Sequence, residues 1–268
     1  MIGTRAAIAL IAALAVLAAG PAAARGEAGA QAPAAATARA VPGRVTVVLA
    51  HPDDELTMAP ALAALAREGA RVELAYATLG DAGPGVSGLA PGKALGEARY
   101  REALCAAAAL GAGSVASLDR GDGRLGIAAH QPGSPARALR DDLAAWLGET
   151  DLILTWGPDG GYGHADHRMV SAIITEIVQA LPAARRARLL YVAIPAGRLP
   201  PVPEMAPWAT TDPALLTETI AYTPADLEAA RAAAMCHATQ FDAATRAGMM
   251  ALLDATMWQG KVHFRPAF

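Results

Sequence analysis

The chain has 268 residues, of which 54% are hydrophobic, 18% are charged and only 4% are aromatic, and its formal net charge is -3. This length suits one domain, or at most two, with a buried core. The nearly balanced charge gives no sign of a polyanionic partner, so we do not expect nucleic-acid binding. A small neutral or mildly polar substrate is easier to accommodate.

The first 24 residues are typical of a signal peptide. Arg5 precedes an apolar run over residues 6–19, and small residues at 21–24 offer a cleavage point. The run is short for a bilayer span, which needs roughly 20 apolar residues. We therefore expect a secreted or periplasmic protein with no membrane span in the mature chain, and an uncleaved anchor is the alternative. Residues 25–42, rich in Ala, Gly and Pro, predict a disordered spacer.

Residues 43–268 alternate between strand-like and helix-like stretches, and we expect them to form one domain. Such alternation predicts a three-layer, Rossmann-like α/β fold with a mostly parallel sheet and helices on both faces. Residues 80–92 predict a mobile glycine-rich loop, and residues 195–213 an irregular excursion near the pocket. The predicted strands are 45–49, 72–78, 114–118, 151–156 and 189–194, and the predicted helices are 55–68, 94–110, 135–148, 165–180, 224–234 and 243–257.

Two polar clusters each follow a predicted buried strand. The first is Ala50-His51-Pro52-Asp53-Asp54-Glu55, and the second is Gly161-Tyr162-Gly163-His164-Ala165-Asp166-His167. Open α/β sheets place their ligands at the carboxyl ends of the strands, so both clusters are expected at one edge. We therefore interpret them as two halves of one metal site.

A catalytic zinc site uses three protein ligands and leaves one position open for water. His51 and Asp54 lie on one tight turn, and His167 is the obvious third ligand. Bound zinc lowers the pKa of its water to about 7, which favours hydrolysis near neutral pH. Zn2+ is the preferred cofactor, although another divalent metal suits the same ligands.

The remaining polar residues of the clusters suggest proton transfer. Asp53 is placed to act as general base, and His164 is free to protonate the leaving amine or stabilise the oxyanion. Asp166 is expected to hold the His164 ring and to favour its imidazolium form, and Tyr162 to turn its hydroxyl toward the oxyanion. The alternative for Asp53 and Asp54 is that they only cap the following helix.

Cys105 and Cys236 are the two cysteines of the chain. In an oxidising compartment they could form a disulfide. We expect instead two buried, unpaired thiols, because small apolar residues surround Cys105.

At these residues the sequence resembles the PIG-L/LmbE-like zinc N-deacetylase family. Residues 50–55 match its first motif, and 164–167 match its His-x-Asp-His motif; the longer form from Gly160 is similar to the mycothiol-pathway deacetylase branch. Weaker matches are Arg99 to Glu102, Asp122-Gly123 and His237 to Gln240, the last with Thr in place of Ser. The resemblance covers most of the chain after the spacer.

The resemblance implies zinc bound by His51, Asp54 and His167, with Asp53 as base. It further implies His164 as acid or oxyanion stabiliser, Asp166 orienting it, and Tyr162 assisting at the carbonyl. By the same analogy Arg99 and Asp122 contact the polar groups of the substrate; a surface salt bridge and a turn are the alternatives. His237 is expected to be structural.

We therefore expect an exported zinc hydrolase that deacetylates an N-acetylated amino sugar in an N-acetylglucosamine-type glycan, glycolipid or glycoconjugate. Two alternatives stay open: an amidase for a non-sugar amide or thiol conjugate, and a carbohydrate-binding protein without turnover. The family's usual Thr-x-Gly-Glu-x-Gly loop has Asp81 in place of Glu here, and the export signal argues against the substrate of the cytosolic members. The sequence does not indicate the oligomeric state.

Overall fold

Seven strands form one mixed sheet in the computed structural model, which describes residues 40–268. Their order is β3-β2-β1-β4-β5-β7-β6, with β1 to β5 parallel and β7 antiparallel to both its neighbours. This confirms the predicted mostly parallel sheet. The strands are β1 (Arg44–Leu49), β2 (Arg71–Tyr76), β3 (Ser114–Ser117), β4 (Leu152–Trp156), β5 (Arg188–Val192), β6 (Glu218–Ala221) and β7 (Lys261–Pro266).

The described residues from Val41 onward group as one unit. The predicted signal peptide, and all of the predicted spacer except residues 40–42, lie outside the part of the chain that the structure describes. Among the described residues, no helix is both long and apolar enough to cross a bilayer.

Helices cover both faces of the sheet. Side chains alternate along β1, so Val45, Val47 and Leu49 face one apolar cluster while Val48 faces the other. Helices α1, α2, α5 and α6 pack in the first cluster, and α3 and α4 in the second. The helices are α1 (Ala59–Arg67), α2 (Lys93–Leu110), α3 (Pro135–Trp146), α4 (Ala165–Gln179), α5 (Pro224–Cys236) and α6 (Ala243–Leu253).

The predicted helix 55–68 is split in the structure. Residues Asp54–Thr57 form a 3₁₀ turn, Met58 leaves the helical region at φ -135°, and α1 begins at Ala59. Pro60 explains the break, because proline is tolerated in the first turn of a helix but not in its interior. The split leaves the carboxylates of the first motif on a turn.

The sequence reading missed β6 and β7, which add an antiparallel edge to the sheet. β6 has only four residues, all partly or fully exposed, so it carries little of the buried apolar signal that marks β1 and β4. The predicted helix 243–257 ends as an α-helix at Leu253 and continues as a π-helical turn over Asp254–Trp258.

Cys105 and Cys236 form a disulfide with Cα atoms 5.8 Å apart, so the expectation of two buried, unpaired thiols was wrong. Helices α2 and α5 pack directly against each other, and the two cysteines lie on their facing sides. Cys105 is exposed and Cys236 partly buried. The small apolar residues near Cys105 allow the two helices to approach closely.

The topology brings the two polar clusters together. The chain runs from β1 outward to β3 on one side of the sheet, then returns to β4 beside β1 and continues to β5 on the other side. A crevice opens at such a reversal outside the carboxyl ends of the strands. Both clusters follow strands that flank this point.

Candidate active site

The first motif forms a tight turn after β1, which Asp54 closes. Its Oδ2 atom accepts hydrogen bonds from the backbone N–H groups of Ala50 (3.0 Å) and His51 (2.9 Å). Burial by itself raises the pKa of Asp54, but His167 and His51 outweigh it and hold that pKa below its usual range. Asp54 is therefore ionised near neutral pH.

The three predicted metal ligands meet at one point. His51 Nδ1 lies 3.1 Å from His167 Nε2 and 3.8 Å from Asp54 Oδ2, and Asp54 Oδ1 lies 3.1 Å from His167 Nε2. Ligand atoms about 2.0–2.2 Å from one zinc ion lie roughly 3–4 Å from each other. The nearest pairs have this spacing, with a different Asp54 oxygen facing each histidine. Two further sets with metal-ligating spacing share these residues: His51, His164 and His167, and His51, Asp122 and Asp166.

The far nitrogen of each histidine ring is also held. His51 Nε2 lies 3.1 Å from Asp122 Oδ1 and 3.6 Å from Asp166 Oδ2, and His167 Nδ1 lies 3.1 Å from the carbonyl oxygen of Gly160. Contacts of this kind fix the ring orientation and the tautomer of metal-binding histidines. The ligands thus have the outer support that a metal centre needs.

The charge around the ligands favours a cation. Burial lowers the pKa of His51, but the carboxylates of Asp122, Asp166 and Asp54 raise it to about 10. A buried cluster so rich in carboxylates is stabilised by a bound positive ion. Two imidazole nitrogens and a carboxylate suit zinc and several other divalent metals.

Asp53 has a strained backbone beside the ligands. Its φ of 102° lies in the left-handed region, which costs a residue other than glycine about 1–3 kcal/mol. Its N–H donates to Glu55 Oε2 (3.0 Å), and its Oδ2 lies 3.1 Å from the Arg99 guanidinium. Burial raises the pKa of Asp53 to about 6 even though Arg99 opposes the shift. The carboxylate is therefore poised to accept a proton near neutral pH.

Arg99 lies inside the protein, not at an open substrate surface. It is 4% exposed, and its two Nη atoms donate to the carbonyl oxygens of Gly80 (2.8 Å) and Pro52 (2.5 Å). A Cβ atom at Gly80 would lie 2.3 Å from Arg99 Nη1, so a side chain at residue 80 would displace the guanidinium. Arg99 therefore contacts the Asp53 carboxylate from inside the protein, and its contact with substrate stays a prediction.

Asp122 is likewise engaged within the protein. Besides its contact with His51, its Oδ2 atom accepts a hydrogen bond from the backbone N–H of Ala82 (3.0 Å). His51 and this backbone contact hold the pKa of Asp122 at about 2, although its burial opposes the shift. Its geometry therefore favours supporting a metal ligand over the predicted contact with substrate.

His164 and Asp166 interact differently from the prediction. His164 caps α4, and its Nδ1 accepts the backbone N–H of Asp166 (3.2 Å). The Asp166 carboxylate instead accepts hydrogen bonds from the backbone N–H groups of Gly123 (2.7 Å) and Leu125 (3.1 Å). Burial and the neighbouring histidine rings lower the pKa of His164. Because Nδ1 accepts a backbone N–H, Nε2 is the ring nitrogen left to donate to a substrate.

Aromatic rings surround the open side of the ligands. Trp156 stacks on His167 at 4.6 Å between centroids, with an interplanar angle of 5°. Tyr162 is 44% exposed, and its ring lies 5.7 Å from His164 and 5.2 Å from Trp208. The proline-rich segment that carries Trp208 is joined to the second cluster by the Ala209 N–H, which donates to the Gly161 carbonyl (2.7 Å). This hydrogen bond places the segment beside the second cluster, in agreement with its predicted position near the pocket.

The sequence reading missed the contacts under the first motif. Glu55 accepts hydrogen bonds from the Tyr76 hydroxyl (2.8 Å) and lies 2.5 Å from His237 Nε2. Glu102 accepts hydrogen bonds from the backbone N–H (2.8 Å) and hydroxyl (2.6 Å) of Thr239. The sequence marks residues 99–102 and 237–240 as separate weak matches to the family motifs. It does not indicate that the two segments contact each other.

Comparisons with known proteins agree with this geometry. The family model described as PIG-L: GlcNAc-PI de-N-acetylase matches residues 46–178. A 1D-myo-inositol 2-acetamido-2-deoxy-alpha-D-glucopyranoside deacetylase of Nakamurella multipartita is 39% identical over 170 residues, which cover 54% of this chain and 56% of that protein. The chain therefore spans about half the length of the curated relatives it matches.

Solved structures share the fold. An N,N'-diacetylchitobiose deacetylase from Pyrococcus horikoshii is 18% identical, with a TM-score of 0.59 and 84% of both chains covered. The 4-carboxy-2-hydroxymuconate hydratase GalB from Pseudomonas putida is 19% identical, with a TM-score of 0.56 and coverage of 84% of this chain and 96% of that one. Since a hydratase has the same fold, these similarities do not identify the reaction.

The matched residues begin in β1 and end in α4, so they include both polar clusters. The family model, the curated relatives and the convergence of the two motifs therefore agree: residues 46–178 are similar to the PIG-L de-N-acetylase family.

Proposed function

We propose that this protein is an exported zinc-dependent hydrolase that removes the acetyl group from an N-acetylated amino sugar. The observation that carries the proposal is the convergence of His51, Asp54 and His167 at one point, with Asp53 adjacent on the same turn. Three ligands and a neighbouring base are the parts that a hydrolytic zinc site requires.

The residues divide the reaction between them. A bound zinc ion would polarise the acetamide carbonyl and acidify the attacking water. Asp53 takes a proton from water as the water oxygen bonds to the carbonyl carbon. His164 donates a hydrogen bond from Nε2 to the carbonyl oxygen as negative charge develops there. The C–N bond then breaks as Asp53 returns its proton to the leaving nitrogen. Acetic acid and a free amine result, and transfer of the acid's proton to the amine gives acetate and the ammonium form.

An amino sugar is the favoured substrate class. The Nakamurella relative is named for a 2-acetamido-2-deoxy-glucopyranoside, and the Pyrococcus structure for diacetylchitobiose. The exposed ring of Tyr162 and the partly exposed ring of Trp208 offer apolar faces at the entrance, which suit a sugar ring. The candidate substrates are N-acetylglucosamine-type glycans, glycolipids and glycoconjugates.

Two other functions compete with this proposal. A non-sugar amidase would use the same ligands and base, so only the substrate separates it from a sugar deacetylase. A carbohydrate-binding protein without turnover would have no need for a strained acidic residue beside the ligands, and the conformation of Asp53 argues against it.

The decisive experiment measures acetate release by the purified protein against a panel of N-acetyl sugars and non-sugar acetamides. We expect release from a sugar, loss of release with a chelator, and recovery with zinc. Asp53→Asn should lower kcat by about 10²–10⁴-fold while sugar binding persists. Release only from non-sugar acetamides would support the amidase, and binding without any release would support the carbohydrate-binding protein.

Export is supported by the disulfide, since such bonds persist mainly in oxidising compartments. Mass spectrometry of protein recovered outside the cytoplasm should show a chain that begins near residue 25. A chain that stays in the cytoplasm with its first residues intact would contradict export.

A further inference from the structure

A buried chain of contacts leads from α5 to the backbone of Asp53. Glu55 and His237 are both fully buried, and His237 Nε2 lies 2.5 Å from Glu55 Oε1. The other oxygen, Oε2, accepts hydrogen bonds from the Asp53 N–H (3.0 Å) and the Tyr76 hydroxyl (2.8 Å). One carboxylate therefore connects His237 with the residue that we propose as the base.

The hydrogen bond from the Asp53 N–H to Glu55 supports a strained backbone conformation. Asp53 has no glycine-like freedom, yet its backbone lies at φ 102°, and the Asp53 side chain must at the same time meet Arg99. The Glu55 carboxylate stabilises this arrangement by accepting the N–H of the strained residue. That carboxylate can do so only while its own orientation is fixed, which requires donors on both oxygens.

His237 is itself held from both sides by α2. Cys236, directly before it, is bonded to Cys105, and Thr239, two residues after it, donates twice to Glu102. Glu102 and Cys105 are three residues apart and lie on the same side of the helix. The imidazole is thus fixed against the first motif from a part of the chain beyond the family-matched residues 46–178.

We propose that His237 is a positioning residue, which holds Asp53 in its productive conformation through the carboxylate of Glu55. The proposal rests on the proposed function in that Asp53 is taken as the base. His237 is fully buried and its Nε2 faces Glu55, so it acts on Asp53 through that carboxylate.

Two amide substitutions of His237 test this proposal with matched chemistry. His237→Gln can place an amide N–H close to the original Nε2 position and donate to Glu55, whereas His237→Asn is one methylene shorter and cannot reach. We expect His237→Asn to lower kcat for acetate release by about 10–100-fold, with KM and zinc content close to those of the wild type. Its melting temperature should fall, because the buried Glu55 carboxylate loses a partner. His237→Gln should restore kcat to within about threefold of the wild-type value.

The same variants give a readout that does not depend on turnover. In the zinc-loaded wild type the Asp53 amide proton should resonate far downfield, because it donates to a carboxylate. We expect this signal to move upfield in His237→Asn and to return in His237→Gln.

The outcomes separate the two proposals. An unmoved Asp53 signal, a wild-type kcat in His237→Asn, or a parallel loss of zinc, stability and activity that Gln does not rescue would each overturn the positioning role. If the wild type releases no acetate while the Asp53 signal moves and returns as expected, the proposed function fails and the positioning role stands.

Discussion

The floor of the site and its entrance are built in opposite ways. The floor consists of Asp54, Glu55, His167 and His237, which are at most 6% exposed and are each held by hydrogen bonds or charge contacts. The entrance consists of Tyr162 and Trp208, which are exposed and partly exposed and meet through a ring contact with centroids 5.2 Å apart.

The difference suggests a division of labour. Metal binding and proton transfer require donor atoms fixed within a fraction of an ångström, which a buried network supplies. Substrate choice requires an accessible surface whose side chains can change without disturbing the ligands. Substitutions in the floor of the site should therefore alter metal binding and kcat, and substitutions at the entrance should alter KM.

The largest expected effect concerns Asp122, which contacts His51 next to the floor of the site. We expect Asp122→Ala to weaken zinc affinity by about 10–100-fold, because the ring loses the partner that fixes its orientation. Asp122→Asn keeps an acceptor at the same place and should lose less. Competition with a coloured zinc chelator measures the affinity.

The matched control is Asp141→Asn, an exposed position on α3 whose carboxylate contacts Arg140. The affinity for zinc should not change in this variant. An Asp122→Ala protein that binds zinc as tightly as the wild type would remove the support for the outer contact.

A smaller effect is expected at the entrance. Trp208→Ala should raise KM by about 2–10-fold for an N-acetyl sugar that carries a second ring, because a stacking contact contributes about 0.5–1.5 kcal/mol. Steady-state kinetics on the free monosaccharide and on its extended form separate the two cases, and kcat should stay unchanged. Trp208→Phe retains an aromatic face and should behave like the wild type. A fall in kcat with unchanged KM would show that Trp208 acts with the floor of the site, and would contradict the proposed division between floor and entrance.

The smallest effect concerns an ion pair outside both regions. Although burial opposes it, hydrogen bonds from Arg67 and Thr223 hold the pKa of Asp226 below its usual range. A carboxyl whose pKa is lowered by folding stabilises the protein above its unfolded pKa, about 3.9, and loses that contribution as the pH falls below it.

Asp226→Asn should therefore lower the melting temperature by no more than about 4 °C at pH 7, with a smaller difference at pH 3. The effect is small because Arg67 is 44% exposed and solvent screens the pair. Thermal unfolding followed by circular dichroism at the two pH values measures it. A difference that grows toward pH 3 would have the wrong sign, and zinc affinity and kcat should stay at wild-type values.

Local patterns allowed much of the fold to be predicted. The strands β1 and β4 are buried and mostly apolar, and a polar cluster follows each, so residues 45–49 and 151–156 were recognised within one residue of their bounds. The two clusters could be placed at one edge because parallel strands end together. No local pattern marked β6, which is short and half exposed.

The contacts that differed from expectation depend on packing over long distances. Glu55 and His237 are separated by 182 residues, and their pairing follows from how α5 lies against the first motif. The disulfide depends in the same way on the approach of α2 and α5. The contact at His164 is local instead: a histidine at a helix N-terminus can accept a backbone N–H, and this competes with the carboxylate contact that we expected.

The Cys105–Cys236 bond encloses the second cluster and the segment that carries Trp208, but not the first motif. A single protease cut anywhere between residues 105 and 236 consequently leaves one covalent molecule, which migrates as two fragments on a gel only after a thiol is added. Nicked material would thus pass unnoticed through any purification that is monitored without reductant.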